Sequence, residues 1–233
     1  PTDCGVNDGT ITITASSTAG NVLEYSIDNG STYQVANFFV GLAGGNYNIK
    51  VRNIDGTCVQ STPVEVLTAP VQPSISTISS SNPTNCGTAD GTITITATGT
   101  GLQYSIDGGI NWKTMNTFSS LPSGTYNVVV RNVDGSCVTY YNSNPVVLTA
   151  PSAPIITNVV STNPTDCGVN DGQITISAQG GTGTYEYSID NGSSFQSSNT
   201  FPGLAAGSYD IILRNSDGTC EVFTAPEVLI APV

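Results

Sequence analysis

The sequence predicts an all-β chain: a tandem array of three immunoglobulin-like or fibronectin-III-like β-sandwich repeats. Three observations carry this prediction. Apolar and polar residues alternate with a period of two, as in TITITA at 10–15 and 92–97 and QITISA at 173–178, and no stretch shows helical periodicity. Turn signals built on Asn-Gly, Asp-Gly and Gly-Gly recur about every ten residues. The same phrases also return at intervals of about eighty residues, and a fixed period is stronger evidence of domain organisation than length. The expected repeats are 1–70, 71–151 and 152–233. The second and third open with strand-like segments, SISTISSS and IITNVVST, that have no counterpart before PTDC at residue 1. The first repeat is therefore expected to lack its first strand, with the chain being a piece of a longer array or its first sandwich completed by strand addition.

Within one repeat the elements follow in a set order. The Thr-Ile alternation puts Ile11 and Ile13 on one face and threonines on the other. LEYSIDNG (23–30), LQYSIDGG (102–109) and YEYSIDNG (185–192) read as a strand running into a tight turn, because Asn-Gly and Gly-Gly accept the positive φ a hairpin requires. An aromatic follows, Tyr33, Trp112 or Phe195, and core packing is its expected role. A Leu-x-x-Gly-x-Tyr phrase then opens a strand at Tyr47, Tyr126 and Tyr209, the arrangement of a tyrosine corner, in which the phenol bonds back to the corner backbone. Alternation along that strand places Ile49 and Val51 inward and Lys50 and Arg52 outward. RNIDGTC (52–58), RNVDGSC (131–137) and RNSDGTC (214–220) close it with a turn and a cysteine. A valine-rich strand ends the repeat, and proline-rich linkers at 69–73 and 150–154 join one repeat to the next.

Composition excludes several functions. The net charge is −12 with five basic residues, which opposes binding to nucleic acid or to an anionic membrane surface. No apolar run is long enough to insert as a membrane helix. The chain has no histidine, so it carries neither a Ser-His-Asp triad nor a histidine-ligated metal. The aspartates recur in triplicate at turns, a pattern that suits structure better than an active site, and no enzyme activity is expected.

The ordered phrases CGVNDGTITI, then YSIDNG, then LAGGNYNI, then DGTC, with their counterparts in the other two copies, resemble the SprB-type repeats of very large surface adhesins of gliding Bacteroidetes. The resemblance covers essentially the whole chain. It implies export to the cell surface by a type IX route and a role in adhesion or gliding motility.

Six cysteines, two per repeat at matched positions, argue for disulfides and an oxidising, extracellular compartment. The expected pairing is within each repeat, Cys4–Cys58, Cys86–Cys137 and Cys167–Cys220, each closing a loop of about fifty residues and contributing about 4 kcal/mol. The alternative pairs the first loop of one repeat with the last loop of the next, joining Cys4 to Cys137 and Cys86 to Cys220 and leaving Cys58 and Cys167 to face outward.

Asp8, Asp55, Asp90, Asp134, Asp171 and Asp217, with Asp28, Asp107 and Asp190, are candidate calcium ligands at loop ends. The competing role is local turn formation, and no cofactor is expected. Arg52, Arg131 and Arg214 are expected to pair with a carboxylate on a neighbouring strand. The functional expectation is a non-catalytic stalk segment of an extracellular adhesin, whose partners are neighbouring repeats or identical subunits in a fibre. The alternatives are a self-assembling secreted filament subunit and a tandem module binding surface glycans. Asn29-Gly30-Ser31 and Asn191-Gly192-Ser193 also match the glycosylation acceptor pattern.

Overall fold

A computed structural model describes residues 1–232 and contains strands and turns with no helix among them. The chain is all-β. The strand succession follows the repeat period. The first series is β1 (Gly9–Thr12), β2 (Leu23–Ser26), β3 (Phe38–Leu42), β4 (Gly45–Tyr47), β5 (Lys50–Asn53), β6 (Gln60–Ser61) and β7 (Glu65–Leu67). The second is β8 (Ser74–Ser81), β9 (Gly91–Thr98), β10 (Leu102–Ser105), β11 (Thr117–Leu121), β12 (Gly124–Tyr126), β13 (Val129–Asn132), β14 (Thr139–Tyr140) and β15 (Val146–Leu148). The third is β16 (Pro154–Thr162), β17 (Gly172–Gly180), β18 (Tyr185–Ser188), β19 (Thr200–Leu204), β20 (Gly207–Tyr209), β21 (Ile212–Asn215), β22 (Val222–Phe223) and β23 (Glu227–Leu229).

Compactness divides the chain differently. One unit comprises Pro1–Ile78, Ile95–Asn116 and Tyr126–Pro145; the other comprises Ser79–Thr94, Thr117–Thr125 and the chain from Val146 onward. In the second unit, β16, β17 and β19 form one antiparallel sheet and β18, β21 and β22 another, with β20 paired to β23. The inward faces of both sheets meet in one core. Ile174 and Ile176 of β17 pack with Tyr187, Ile211, Leu213 and Leu229, and Ile156 and Val159 of β16 cover the edge. This is two-layer sandwich packing, with side chains of opposed sheets interleaved.

In the first repeat the strand series recurs with one strand fewer. Ile11, Ile13, Tyr25, Ile49 and Val51 form the core. Among the described residues β1 pairs only with β3, whereas its counterpart β17 is flanked on both edges. Just past the end of β1, a groove of about 390 Å³ is lined by Ile13, Leu23 and Val51.

Local chemistry shapes the loops. Asn29 and Gly30, Gly108 and Gly109, and Asn191 and Gly192 all have positive φ, the backbone of a two-residue hairpin turn. The serine that precedes each turn is fully buried, and its Oγ accepts the N–H of Gly30, Gly109 or Gly192 at 2.8–2.9 Å. The phenol of Tyr47 donates to the Ala43 carbonyl at 2.9 Å, and that of Tyr209 to the Ala205 carbonyl at 2.9 Å, each closing a corner four residues back.

Alternation misplaces one position. Val129 and Ile212, aligned with the outward-facing Lys50, are buried. In the third repeat the hairpin turn folds over that face, so that a Cβ on Gly192 would lie 3.3 Å from the Ile212 side chain.

Gly172, at the start of β17, shows how tightly the layers close. An added Cβ would stand 2.8 Å from the Leu204 carbonyl oxygen and 3.0 Å from the Leu229 side chain. Gly172→Ala is expected to lower stability by about 1–3 kcal/mol through overpacking. Gly207→Ala, whose nearest neighbour would be the Tyr209 ring at 4.0 Å, is expected to stay within about 0.5 kcal/mol. Urea unfolding of the two variants side by side checks the difference.

Candidate functional site

The thrice-repeated RN-x-DG-x-C loop is the most heavily engineered stretch of the chain. Its arginine lies over an aromatic ring: Arg52 over Tyr33 at 3.7 Å, Arg131 over Trp112 at 4.1 Å and Arg214 over Phe195 at 3.5 Å. Each guanidinium also reaches across the strand pair, Arg52 to Glu24 at 2.9 Å, Arg214 to Glu186 at 2.9 Å and Arg131 to Gln103 at 2.9 Å. The expected carboxylate partner is therefore present in the first and third repeats and replaced by an amide in the second. The rings are half-buried on the sheet's outer face and are not core residues, because the arginine supplies the cover that a second layer would otherwise give.

Past the arginine the chain turns. The Asn53 N–H donates to the Thr57 carbonyl and the Gly56 N–H to the Asn53 carbonyl, both at 2.9 Å, and the same pair of bonds closes the loops at Asn132 and Asn215. The loop aspartates Asp55, Asp134 and Asp217 each accept the N–H and the hydroxyl of the residue two positions on. Gly56, Gly135 and Gly218 take φ of 84–89°, and the cysteines that follow take φ of 53–61°. A non-glycine residue in this region is uncommon, and the cysteine adopts it in all three loops.

The placement of the loops decides the disulfide pairing. In the third repeat the loop holding Cys167 follows β16, and the loop holding Cys220 follows β21. The Asn163 side chain accepts the Ile230 N–H, which places the first loop at the end of the sandwich where β23 finishes. The Ser216 N–H donates to the Thr184 carbonyl, which places the second loop at the opposite end. Strand β17 runs from one end to the other, roughly 26 Å at about 3.3 Å per residue. A disulfide needs Cα atoms within about 7 Å. Pairing within a repeat is therefore sterically excluded, and the expectation of Cys4–Cys58, Cys86–Cys137 and Cys167–Cys220 is corrected. The bonds are Cys4–Cys137, with Cα atoms 5.1 Å apart, and Cys86–Cys220, at 5.2 Å. Cys58 and Cys167 are free and exposed.

Each bond forms part of a clamp on the linker leaving the earlier repeat. The Cys4 sulfur lies 3.3 Å from the Pro70 carbonyl oxygen and the Cys86 sulfur 3.1 Å from that of Pro151. Asp3 Oδ1 accepts the N–H of both bonded cysteines, Cys4 at 2.7 Å and Cys137 at 2.6 Å. Asn85 does the same for Cys86 and Cys220, at 2.8 Å each. Asn132 donates to the Val71 carbonyl and Asn215 to the Ser152 carbonyl, both at 3.1 Å. These joint residues were not singled out from the sequence. The available signal was an Asp or Asn directly before the first cysteine in all three copies and an Asn in every RN pair.

The candidate calcium ligands are occupied by local donors. Asp8, Asp90 and Asp171 each take the backbone N–H and the hydroxyl of the threonine six residues back, pinning the first cysteine loop. Among the described residues one group of three metal-ligating side chains comes together, Asp3, Cys4 and Cys137, and its two sulfurs are bonded to each other. The hydroxyl of Thr2, Thr84, Thr165, Thr57, Ser136 or Thr219 lowers the pKa of its aspartate, because a hydrogen bond to the charged form favours it. Asp28 and Asp190, held by the hydroxyls of Thr32 and Ser194, fall to about 2. Asp107 is pushed upward by burial, but bonds from Asn111, Ser105 and Ile110 outweigh that and bring it to about 2 as well.

Two outcomes follow. Cys4→Ser opens a loop spanning 133 residues and is expected to cost about 5 kcal/mol in the chain-entropy model, whereas Cys58→Ser costs less than about 0.5 kcal/mol; denaturant unfolding compares them. Because the aspartate pKa values are depressed in the folded state, their stabilisation is full above about pH 4 and is lost as pH falls through about 2. Urea midpoints should be level from neutral pH to about pH 5 and decline below about pH 4, less steeply when Asp28, Asp107 and Asp190 are replaced by Asn.

Comparison with known proteins gives a family match over part of the chain. No curated protein matches it. Solved structures that align with it include domains 4 and 5 of the S-layer protein SbsC, at 17% identity over 90% of this chain and 98% of that one with a TM-score of 0.22, and domains 7, 8 and 9 of the same protein, at 12% identity over 89% and 76% with a TM-score of 0.27. Residues 158–194, from within β16 through the Ser-Ile-Asp turn of the third repeat, match the family described as SprB repeat.

Proposed function

We propose that this chain is a non-catalytic structural segment of an extracellular cell-surface adhesin or stalk, and that its work is to carry tension. One observation supports this above the others: the disulfides run from repeat to repeat and clamp the linkers, so load passes through sulfur at the points where tandem domains otherwise part. The SprB repeat match at 158–194 agrees with a surface location, and disulfides persist in that compartment. Aspartate carboxylates committed to turn donors need no cation for this role. The partners are neighbouring repeats of a longer chain or identical subunits of a fibre, and gliding adhesins of Bacteroidetes are the class it fits.

Single-molecule extension tests the reading. With both bonds intact, the shortest covalent path runs through residues 1–4, 86–137 and 220–233. Pulled from its termini, the oxidised chain should reach roughly a third of the fully reduced contour length, at about 3.6 Å per residue. Equal extension with and without reductant would show that the disulfides bear no load.

A further inference from the structure

We infer that Cys58 and Cys167 are the two halves of a third clamp, and that they join one copy of this chain to a second copy. The inference deepens the proposed function by naming the partner of the joint, and it depends on that reading only for an oxidising location. Two finished clamps show what each half contains. One half is an N-terminal loop: an Asp or Asn whose Oδ1 holds the cysteine N–H, and a sulfur against the carbonyl of the outgoing proline. The other half is an RN-x-DG-x-C loop whose cysteine sits at positive φ.

Both unpaired cysteines already have these surroundings. Asp166 Oδ1 accepts the Cys167 N–H at 2.7 Å, and the Cys167 sulfur lies 2.9 Å from the Pro232 carbonyl oxygen. Asp3 and Asn85 each accept a second N–H, from Cys137 and Cys220. Cys58 has φ of 53°, against 58° and 61° for the bonded Cys137 and Cys220. Its loop is closed by the same Asn53–Thr57 bonds, and its N–H is the donor that Asp166 of another copy would receive. Cys58 is exposed among the described residues: with Asn53 it rims the groove past β1, and in the third repeat β16 packs against the corresponding strands β21 and β22.

The two halves are different and complementary, and each copy carries one of each. Joining Cys167 of one copy to Cys58 of the next is therefore a heterologous contact that repeats without closing on itself. The chemistry is thiol–disulfide exchange. Cys167 and Cys58 each give up a proton, the pair loses two electrons, and a small-molecule or protein disulfide takes both and leaves as two thiols.

The test uses the purified full chain, with its two native disulfides, in a glutathione redox buffer in which oxidised glutathione is the electron acceptor. Non-reducing electrophoresis should show a ladder of covalent oligomers, and peptide mapping should show Cys58 bonded to Cys167. Cys58→Ser alone and Cys167→Ser alone should stay monomeric. Mixed together they should give a dimer and nothing larger, because only one complementary pair remains. Both sites are exposed, so the variants should retain the wild-type circular dichroism spectrum. Symmetric Cys58–Cys58 or Cys167–Cys167 bonds in comparable yield, or glutathione adducts without protein–protein bonds, would overturn the inference. Load-bearing under tension is measured on isolated single chains, so either reading can fail while the other stands.

Discussion

The length of a strand governs the chemistry of this protein. A sandwich whose strands alternate in direction sends its first loop and its last loop to opposite ends, and a side chain as short as cysteine cannot reach between them. Once each of those loops carries a cysteine, the only partner in reach belongs to the adjoining repeat. Other features of the joint serve that geometry. The linkers are proline-rich, so few of their backbone groups donate, and the carbonyls of Val71, Pro73 and Ser152 take donors from Asn132, Thr139 and Asn215. The asparagine of the RN pair therefore belongs to the joint as much as to its own turn.

Charge is used sparingly and locally. Turns leave N–H groups and hydroxyls pointing inward, and an ionised carboxylate is an acceptor-only group that can take two or three such donors at once. Nine aspartates do this in three sets, and the lowered pKa values express the same bonds as a proton affinity. Those pKa shifts belong to exposed groups with solvent at hand, so they report loop order more than global stability. The arginines follow a similar economy, each spending one planar group on a ring face and a neighbouring side chain together.

Sequence reading reached the parts of the fold that depend on local rules. Ile11, Ile13, Ile174 and Ile176 are core because alternation is a backbone property, and the Asn29-Gly30 and Asn191-Gly192 turns have positive φ because few residue types accept it. The corners at Tyr47 and Tyr209 span four residues and are equally local. What was not legible is relational. Pairing Cys4 with Cys137 requires knowing which end of a sandwich a loop occupies, and a within-repeat staple looks simpler until the strand between the loops is measured. Val129 and Ile212 are buried by a hairpin folded over the sheet, which alternation along one strand cannot register. Trp112 has an aromatic counterpart in every repeat, and that identity is shared by core residues and by rings covered by an arginine.

The two bonds overlap in sequence, since 4–137 and 86–220 share the residues from Cys86 to Cys137. A staple within each repeat would leave the linkers in the path of tension, and proline-rich connectors with few packed contacts are the first places to yield. Overlapping bonds take the linkers at 69–73 and 150–154 out of that path. Tension is delivered instead to the stretch from Cys86 to Cys137, along which Ile93, Ile95, Val128 and Val130 are each fully buried. Exposing side chains buried to this degree breaks many contacts together, so unfolding there is governed by a high barrier and is slow. Keeping the linkers off the loaded path and a buried stretch on it follows from the position of two cysteines on opposite ends of one sandwich.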